Sequence, residues 1–362
     1  MFALDFKRIL SLFSPGWDWI QVEITSDCNA SCIYCPRTLY KDRWADRHLP
    51  LETFKKLVPA FSETRHVHLQ GWGEPFLHPD FFEMVAIAKG AGCRVGTTTN
   101  GMLLNREKIV RVVESRMDII AFSLAGTGEE NDRIRKGTRL AKVLEAMRAL
   151  SEEKQRRRVE TPAIHVAYML FQSGIRNLRN LPHLLEGCGV SDVVISFLDF
   201  IPCEELQSEV IAPITKAEYE ELRSCLEEVR EDGKQHHLHV HHPLESRGER
   251  MEGCTENVHG CTENVHGCTE NVHGCTENVQ RAVCIASDGS VSPCVYTNMQ
   301  VPGACYMPQG EKRQYERMVF GNIQEKSLRK IWQERTYSAF RSSFHKRVLS
   351  PICVGCPKLR RL

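Results

Sequence analysis

The feature that most constrains this chain is a run of three cysteines, Cys28, Cys32 and Cys35, spaced C-x3-C-x2-C directly after an apolar, strand-like segment. Three thiolates this close in sequence can converge on one small cluster of soft metal ions. A [4Fe–4S] cluster normally takes four protein thiolates, so three leave one iron with an open coordination position. Structural zinc has a closed set of four ligands, usually as two separated pairs. The run therefore predicts a reactive iron–sulfur cluster, and the alternative is three cysteines that only pack.

Composition places the chain among globular proteins with room for one large and one smaller domain, since it has 362 residues of which 42% are apolar. A net charge of +1 favours neither nucleic acid nor an anionic membrane as a partner. Residues 1–15 carry charges that do not fit a signal peptide, and no apolar run is long enough for a membrane span. We therefore expect a cytoplasmic protein whose 16 cysteines serve metal binding rather than disulfides.

Segments of strand and helix character alternate along the first two hundred or so residues. Strands are predicted at 19–24, 66–70, 94–99, 117–124, 164–171 and 191–200, and helices at 51–61, 81–90, 106–115, 139–153 and 177–186. Such alternation indicates parallel strands joined by right-handed crossovers. The pattern predicts an α/β fold, a partial (βα)6 barrel of the TIM type over residues 16–205, with a small C-terminal domain after it.

Glycines and polar residues stand at the ends of several predicted strands. Gly71-Trp72-Gly73-Glu74 supplies two glycines for close backbone approach and one carboxylate. Asn100 follows the next strand. Because parallel α/β folds bind ligands at the carboxyl ends of their strands, these residues are candidates for a binding site. An ordinary turn is the alternative for residues 71–75.

The cysteine run, with the aromatic Tyr34 before its last cysteine, resembles the signature of the radical S-adenosylmethionine (radical SAM) superfamily. In that family the open iron chelates the amino and carboxylate groups of S-adenosylmethionine (SAM). One electron from the cluster then cleaves the sulfonium to a 5′-deoxyadenosyl radical, which abstracts a substrate hydrogen. The resemblance implies that Cys28, Cys32 and Cys35 hold a [4Fe–4S] cluster with SAM as its ligand.

The resemblance also implies contacts to SAM further along the chain. Gly71, Gly73 and Glu74 resemble the Gly-Gly-Glu motif that holds the methionyl amino group in this family, although Trp72 replaces the usual small residue.

Two further residues match positions that contact SAM in this family, and Asn100 is a third expected contact. A small hydroxyl residue, here Ser123, would touch the ribose, and a basic residue shortly after it, here Arg135, would help to hold the carboxylate. We include Asn100 as a cofactor contact because it follows a strand whose carboxyl end lies at the same edge of the predicted sheet. For Arg135 the alternative is a solvated charged face, since other basic residues stand close by.

Two unusual segments separate the predicted barrel from the C-terminal region. Residues 206–252 contain a charged helix and then five histidines within 236–242, for which we expect a solvated connector rather than a metal site. Residues 253–279 repeat Gly-Cys-Thr-Glu-Asn-Val-His three times and end in a copy with Gln at the last position. A glycine in every copy opposes a coiled coil. We expect a flexible surface loop, with metal scavenging as the alternative.

The C-terminal region contains a second candidate cluster site. Asp288-Gly289 between two short β runs predicts a hairpin, and a helix over 327–340 and a C-x2-C pair follow. This order resembles the SPASM/twitch auxiliary-cluster domains, here over residues 280–362, and implies one auxiliary [4Fe–4S] cluster. The ligands it selects are Cys275, Cys294, Cys353 and Cys356. Cys284 is the rival first ligand, but its apolar strand favours a packed thiol.

Together these expectations describe a radical SAM enzyme that modifies a peptide, a protein or a cofactor precursor, because family members with auxiliary clusters mostly serve as maturases. Overall likeness suggests, more narrowly, action on a tungsten or molybdenum oxidoreductase or its cofactor. Reduced ferredoxin or flavodoxin is the expected electron donor. The alternatives are a small-molecule radical dehydrogenase or cyclase, and a non-enzymatic iron–sulfur carrier or scaffold that would not need the site at residues 71–74.

Overall fold

The computed structural model describes residues 16–198, 200–201, 203–212, 215–244, 272–307, 312–346, 348–354 and 356–361. The predicted lead-in over residues 1–15 and most of the heptapeptide repeat, residues 253–271, lie outside this set. No helix within it has the length and apolarity needed to cross a membrane.

A ten-stranded sheet organises the fold. Seven strands that follow one another in the chain lie side by side in it, and each is parallel to the next. They are β1 (Trp17–Val22), β2 (Thr64–Leu69), β3 (Arg94–Thr99), β4 (Ile119–Leu124), β5 (Ala163–Leu170), β6 (Val190–Phe197) and β7 (His239–His241). The first six confirm the predicted α/β core, a parallel sheet of the partial-barrel type.

The two faces of this sheet differ in burial, because successive side chains of a strand point to opposite sides. Along β5 the even-numbered residues from Ile164 to Leu170 are buried, whereas the odd-numbered residues from Ala163 to Met169 are partly exposed. Along β4 the same alternation places Ser123 in the partly exposed row. The buried rows face the core, whereas the opposite face of the sheet stays partly exposed.

The helices between the strands supply the apolar side chains that cover the buried face. In chain order they are α1 (Pro36–Leu39), α2 (Leu51–Lys55), α3 (Val58–Phe61), α4 (Phe81–Gly90), α5 (Arg106–Glu114), α6 (Glu129–Ile134), α7 (Leu140–Arg157), α8 (Leu181–Leu184), α9 (Lys216–Gln235), α10 (Leu328–Gln333) and α11 (Arg335–Lys346).

Three predicted helices are shorter than the periodicity indicated. The helix expected over 51–61 is divided into α2 and α3, with Pro59 in the first turn of α3, where its missing N–H costs no hydrogen bond. The helix expected over 177–186 is a 3-10 turn followed by α8, again with a proline, Pro182, in the first turn. The helix expected over 327–340 divides at Glu334, whose backbone is extended with ψ 145°.

The histidine segment departs from the solvated connector that the sequence suggested. His239–His241 form β7, which pairs in parallel with β6. Val240 is buried on the core side of this strand, as is the preceding Leu238. Because histidines occupy the outward positions, the alternation of a half-buried strand is present but was obscured by the His-rich composition.

The C-terminal region extends the same sheet beyond β1. Its strands are β8 (Val272–Cys275), β9 (Ala282–Ile285), β10 (Ser290–Ser292), β11 (Cys305–Tyr306), β12 (Arg313–Gln314), β13 (Gly321–Asn322) and β14 (Leu359–Arg361). Strand β9 pairs in parallel with β1, and β10 and β13 continue the sheet in antiparallel order. The β9–β10 hairpin turns at Gly289, whose φ of 80° favours glycine. This confirms the predicted hairpin.

Candidate functional site

The cysteine loop leaves the end of β1 and is held by a neighbouring backbone segment. The amides of Ser31 and Ile33 donate hydrogen bonds to the carbonyls of Lys136 and Ile134, at 2.7 and 2.9 Å. A Cβ on Gly137 would lie 3.1 Å from the Ala30 backbone, and its φ is 88°. The loop with Cys28, Cys32 and Cys35 is thus fixed against the segment that follows α6.

Burial sets the protonation of two thiols in this loop. It raises the pKa of Cys28 to about 11. It raises the pKa of Cys35 to about 12, and the neighbouring Cys32 adds to the effect. Metal binding to these side chains must therefore release protons, because the thiolate is the ligand.

The loop with Glu74 packs directly onto the chain that leads to Cys28. A Cβ on Gly73 would lie 2.3 Å from the carbonyl oxygen of Thr25 and 2.5 Å from that of Asp27, so only glycine fits there. The Glu74 amide donates to the Asp27 carbonyl at 2.7 Å. Gly71 and Gly73 therefore allow the close backbone approach that the sequence predicted.

The Glu74 carboxylate is buried and bonded to the end of the next strand. Its Oε1 accepts hydrogen bonds from Thr99 Oγ1 at 2.7 Å and from the Phe76 amide at 3.2 Å, and its Oε2 accepts one from the Asn100 amide at 2.7 Å. Burial raises the pKa of Glu74, while these hydrogen bonds and the charge of Arg135 act against that rise. The carboxylate thus links two strand ends.

Asn100 lies beside the first cysteine. Its Nδ2 donates to Asn29 Oδ1 at 2.8 Å and lies 3.9 Å from Cys28 Sγ, and its Oδ1 accepts from the Met102 amide at 3.0 Å. The structure therefore brings together the predicted contacts at the ends of β2 and β3 and the cysteine loop.

Arg135 is buried, unlike its basic neighbours Arg133, Lys136 and Arg139. Its guanidinium donates a hydrogen bond to the Tyr34 hydroxyl, and its buried Nε has no partner among the described residues. Tyr34, Cys32, Cys28 and Glu74 all favour its charged form and raise the pKa of Arg135, against the effect of burial. This position does not fit a solvated charged face, since a buried cation with a free donor faces the cysteine loop.

Ser123 is the predicted contact with the least support from its surroundings. It lies near the end of β4, in register with Ala167 on β5. Its hydroxyl makes no hydrogen bond to any residue that the structure describes, so it remains open toward the accessible face of the sheet.

The four predicted auxiliary ligands surround one cavity, which is lined by Cys275, Cys294, Cys353 and Cys356. Cys275 reaches it because β8 pairs with β14, with Cys275 opposite Leu359. Cys294 follows β10, and the Cys356 amide donates to the Cys353 carbonyl at 3.1 Å. Cys284 is not in the lining; it is buried within β9, as expected for a packed thiol.

Burial keeps the thiols that line this cavity protonated when no metal is bound. Burial raises the pKa of Cys275 to about 12 and that of Cys353 to about 12, and neighbouring thiols contribute in both cases. Within the described part of the chain, no three His, Cys, Asp or Glu side chains are placed to hold one ion.

Two features next to these sites were missed from the sequence. Glu23, at the end of β1, accepts hydrogen bonds from the Trp72 amide and from Ser287. The Trp72 ring contacts Trp44, Phe200 and Tyr296, with centroids 6.2 to 6.4 Å away. An acidic residue that closes a buried strand was a usable signal for Glu23, whereas the aromatic contacts join segments far apart in the chain.

Two family models match the chain. The radical SAM superfamily model matches residues 22–169, and the SPASM iron–sulfur cluster-binding domain matches residues 275–357. The second match begins and ends around the four cysteines that line the auxiliary cavity.

Individual proteins show the same likeness. The tungsten-containing aldehyde ferredoxin oxidoreductase cofactor-modifying protein of Pyrococcus furiosus is 26% identical over 345 residues, which are 93% of this chain and 86% of that protein. A GTP 3′,8-cyclase of Chlorobaculum tepidum is 30% identical over 202 residues, 54% of this chain and 57% of that protein.

A solved structure shares the fold. SuiB of Streptococcus suis bound to S-adenosylmethionine superimposes with a TM-score of 0.62 at 13% identity, over 91% of this chain and 68% of that chain. SuiB bound to its precursor peptide SuiA gives a TM-score of 0.61 over 93% of this chain and 69% of that chain.

Proposed function

The chain belongs to the radical SAM superfamily and carries a SPASM iron–sulfur domain, and on that premise we propose that it is a maturase that modifies a peptide, a protein or a cofactor precursor. As a member of this superfamily it is an enzyme, and its cofactors are [4Fe–4S] clusters and SAM. In such an enzyme the SAM-binding cluster supplies the electron that cleaves SAM reductively.

We assign the SAM-binding cluster to Cys28, Cys32 and Cys35 and the auxiliary cluster to Cys275, Cys294, Cys353 and Cys356. The observation that carries the proposal is the buried Arg135, whose Nε has no partner among the described residues and whose charge interacts with Cys32, Cys28 and Glu74. A buried cationic donor without an acceptor is costly unless a ligand supplies one. The methionyl carboxylate of SAM is an acceptor of the right charge.

The other polar groups then hold the remaining parts of SAM. Glu74 accepts three hydrogen bonds, and a carboxylate has about four acceptor positions, so one remains for the methionyl amino group. Gly71 and Gly73 allow the loop backbone to approach the ligand, and Asn100 keeps the loop next to Cys28. Ser123, with its free hydroxyl on the accessible face of the sheet, is the ribose contact.

The substrate proposal rests on the auxiliary domain and on the similar proteins. The Pyrococcus protein, which is named for modifying a tungsten enzyme's cofactor, aligns with nearly the whole chain, including the auxiliary domain. SuiB, which shares the fold, has been solved with a precursor peptide. We propose a tungsten or molybdenum oxidoreductase or its cofactor as the target, and reduced ferredoxin or flavodoxin as the electron donor.

A radical cyclase or dehydrogenase of small molecules is the second candidate, favoured by the match to GTP 3′,8-cyclase. That match spans only about half of each chain, so it supports the shared core more than the shared substrate. An electron carrier or scaffold is the weakest alternative, since it has no use for a buried Arg135 and Glu74 beside the first cluster.

The test is the formation of 5′-deoxyadenosine above the rate measured without substrate. The reduced protein would be given, in separate reactions, GTP, the tungsten cofactor released from a tungsten oxidoreductase, and peptides encoded beside its gene. Stimulation by the cofactor or by a peptide supports the maturase. Stimulation by GTP alone would replace it with the cyclase.

A further inference from the structure

Glu23 is a buried carboxylate that the proposed chemistry does not use. It lies just after β1 and is 2% exposed. Its Oε1 accepts a hydrogen bond from the Trp72 amide at 2.9 Å, within the loop of residues 71–74. Its Oε2 accepts hydrogen bonds from the amide and the hydroxyl of Ser287, at 3.0 and 2.9 Å. One carboxylate therefore holds two segments that are more than two hundred residues apart in sequence.

The loop side of this contact has no spare room. A Cβ on Gly71 would lie 2.3 Å from Glu23 Cγ and 2.7 Å from its Oε1. The same loop ends in Glu74, which contacts Asn100 next to Cys28. A displacement of Glu23 must therefore move residues 71–74, because the two are in direct contact.

The other side of the contact belongs to the auxiliary domain. Ser287 lies in the turn between β9 and β10, and Cys294 is two residues after the end of β10. The Ser287 hydroxyl also accepts a hydrogen bond from Gln300 at 3.2 Å. Among the described residues, the side-chain hydrogen bonds of Ser287 go to Glu23 and Gln300 and none goes to the loop of residues 71–74.

A second contact joins the same two regions independently. The Trp72 ring lies 6.2 Å from the Tyr296 ring, centroid to centroid, in an edge-on arrangement. Tyr296 is two residues after Cys294 and lines the auxiliary cavity. The backbone of Trp72 is thus fixed by Glu23 while its side chain packs on the auxiliary domain.

We propose that Glu23 is a positioning residue that fixes the loop of residues 71–74 relative to the β9–β10 hairpin of the auxiliary domain. Changes in the auxiliary domain would then alter SAM binding. The inference rests on the proposed function, because it takes residues 71–74 as contacts of SAM. A buried carboxylate with three donors is costly to leave partly unpaired, so the loss of one donor pair shifts the group and the loop with it.

The test compares SAM affinity in three variants with equal iron content, by equilibrium dialysis of labelled SAM under anaerobic conditions. Ser287→Ala removes one donor from the auxiliary side without touching residues 71–74, and we expect its Kd for SAM to rise about fivefold. Glu23→Gln keeps the shape of the side chain but replaces one carboxylate oxygen by an amide nitrogen, which cannot accept hydrogen bonds from the donors that it faces. We therefore expect a larger rise in the Kd for SAM. The matched control is Asp18→Asn, which weakens the contact between Asp18 in β1 and Arg281 just before β9.

Asp18→Asn is expected to lower the unfolding temperature while the Kd stays at the wild-type value. The inference is overturned if Ser287→Ala and Glu23→Gln bind SAM like the wild type. Should Glu23→Gln lose its clusters, Ser287→Ala decides alone. A wild-type protein that holds its clusters but does not bind SAM would overturn the proposed function itself, which is a different result.

Discussion

The backbone amide of Asn100 donates a hydrogen bond of 2.7 Å to Glu74 Oε2, and this bond joins the ends of two neighbouring parallel strands beside Cys28. The contact explains why an acid is needed at residue 74 even before any ligand binds. It also places the remaining acceptor capacity of the carboxylate next to the cysteine loop.

Glu74→Gln tests this relationship. An amide cannot accept at both ends, so it loses either the Asn100 amide or the Thr99 hydroxyl together with the site for the methionyl amino group. We expect the Kd for SAM to rise about tenfold or more, while the absorbance of the clusters is unchanged. Unchanged binding would mean that Glu74 is only a turn residue. Glu52→Gln, on the exposed surface of α2, is the control.

Arg135→Lys tests the buried cation. Lysine keeps the charge but lacks the planar fork of donors, so it cannot satisfy both Tyr34 and the proposed carboxylate of SAM. We expect the Kd for SAM to rise about tenfold, measured at equal iron content. Arg133→Lys, at an exposed neighbouring position, should bind SAM normally. Equal affinity of the two variants for SAM would show that Arg135 does not contact SAM.

His68 makes the stability of the fold depend on pH. Burial lowers the pKa of its imidazole to about 4, with a smaller contribution from His66. The unfolded chain, with an ordinary histidine pKa near 6.5, then binds more protons than the folded one between these two values. Stability is therefore full above pH 6.5 and falls as the pH is lowered, by about 1.4 kcal/mol per unit.

The measurement is the unfolding temperature of the holoprotein between pH 7.5 and pH 5.5. His68→Gln should reduce the dependence, because one of the histidines that burial keeps neutral is gone; His66, His78 and His165, whose pKa values burial also lowers, keep the rest. His183→Gln, at an exposed position in α8, should leave the slope as it is in the wild type. A His68 variant with the wild-type slope would show that another group is responsible.

The heptapeptide repeat gives a test of the auxiliary ligands. Its last copy places Cys275 in the lining of the cavity. Removal of residues 254–271 deletes three cysteines but leaves β8 whole and keeps Cys275 at its distance from Gly289, and a shorter loop costs little stability. We expect the deleted protein to keep about eight irons, four per cluster. A fall in metal content on deletion alone would favour metal scavenging by the repeat.

Ligand identity is then read from two single variants in the deleted background, where no other copy can replace the lost thiol. Cys275→Ala should lose about four irons, because it opens the coordination of the auxiliary cluster. Cys284→Ala should keep about eight, since Cys284 packs inside β9 away from the cavity. Loss of iron only in the Cys284 variant would show that Cys284, and not Cys275, is the ligand of the auxiliary cluster.

Much of the fold could be predicted because its determinants are local. The apolar alternation of β5 and the Asp288-Gly289 turn can be recognised within a few residues. Helix lengths were harder, since Pro59 can either end a helix or begin one and only the packing of α2 and α3 decides. β7 was missed because histidines, rather than typical polar residues, occupy its outward positions.

The parts of the site that lie within one sequence motif could be predicted. Contacts between segments far apart in the sequence could not. The spacing of Cys28, Cys32 and Cys35 predicts the first cluster site, and the structure adds the buried position of Arg135, which donates a hydrogen bond to Tyr34 in the same loop. Glu23 could not be assigned a partner from sequence, because Ser287 lies on the far side of the repeat. The parallel pairing of β1 with β9 brings them together, and no local pattern indicates that pairing.

The most direct measurement is the amount of 5′-deoxyadenosine that the anaerobically reconstituted, reduced protein forms from SAM in the absence of substrate. It should be compared with a variant in which Cys28, Cys32 and Cys35 are all changed to Ala and which retains about half of the iron, in the auxiliary cluster. The wild type is predicted to form 5′-deoxyadenosine slowly, and the variant to form none. A wild type that forms none although it contains both clusters, or one that holds a single zinc and no sulfide, would contradict the account.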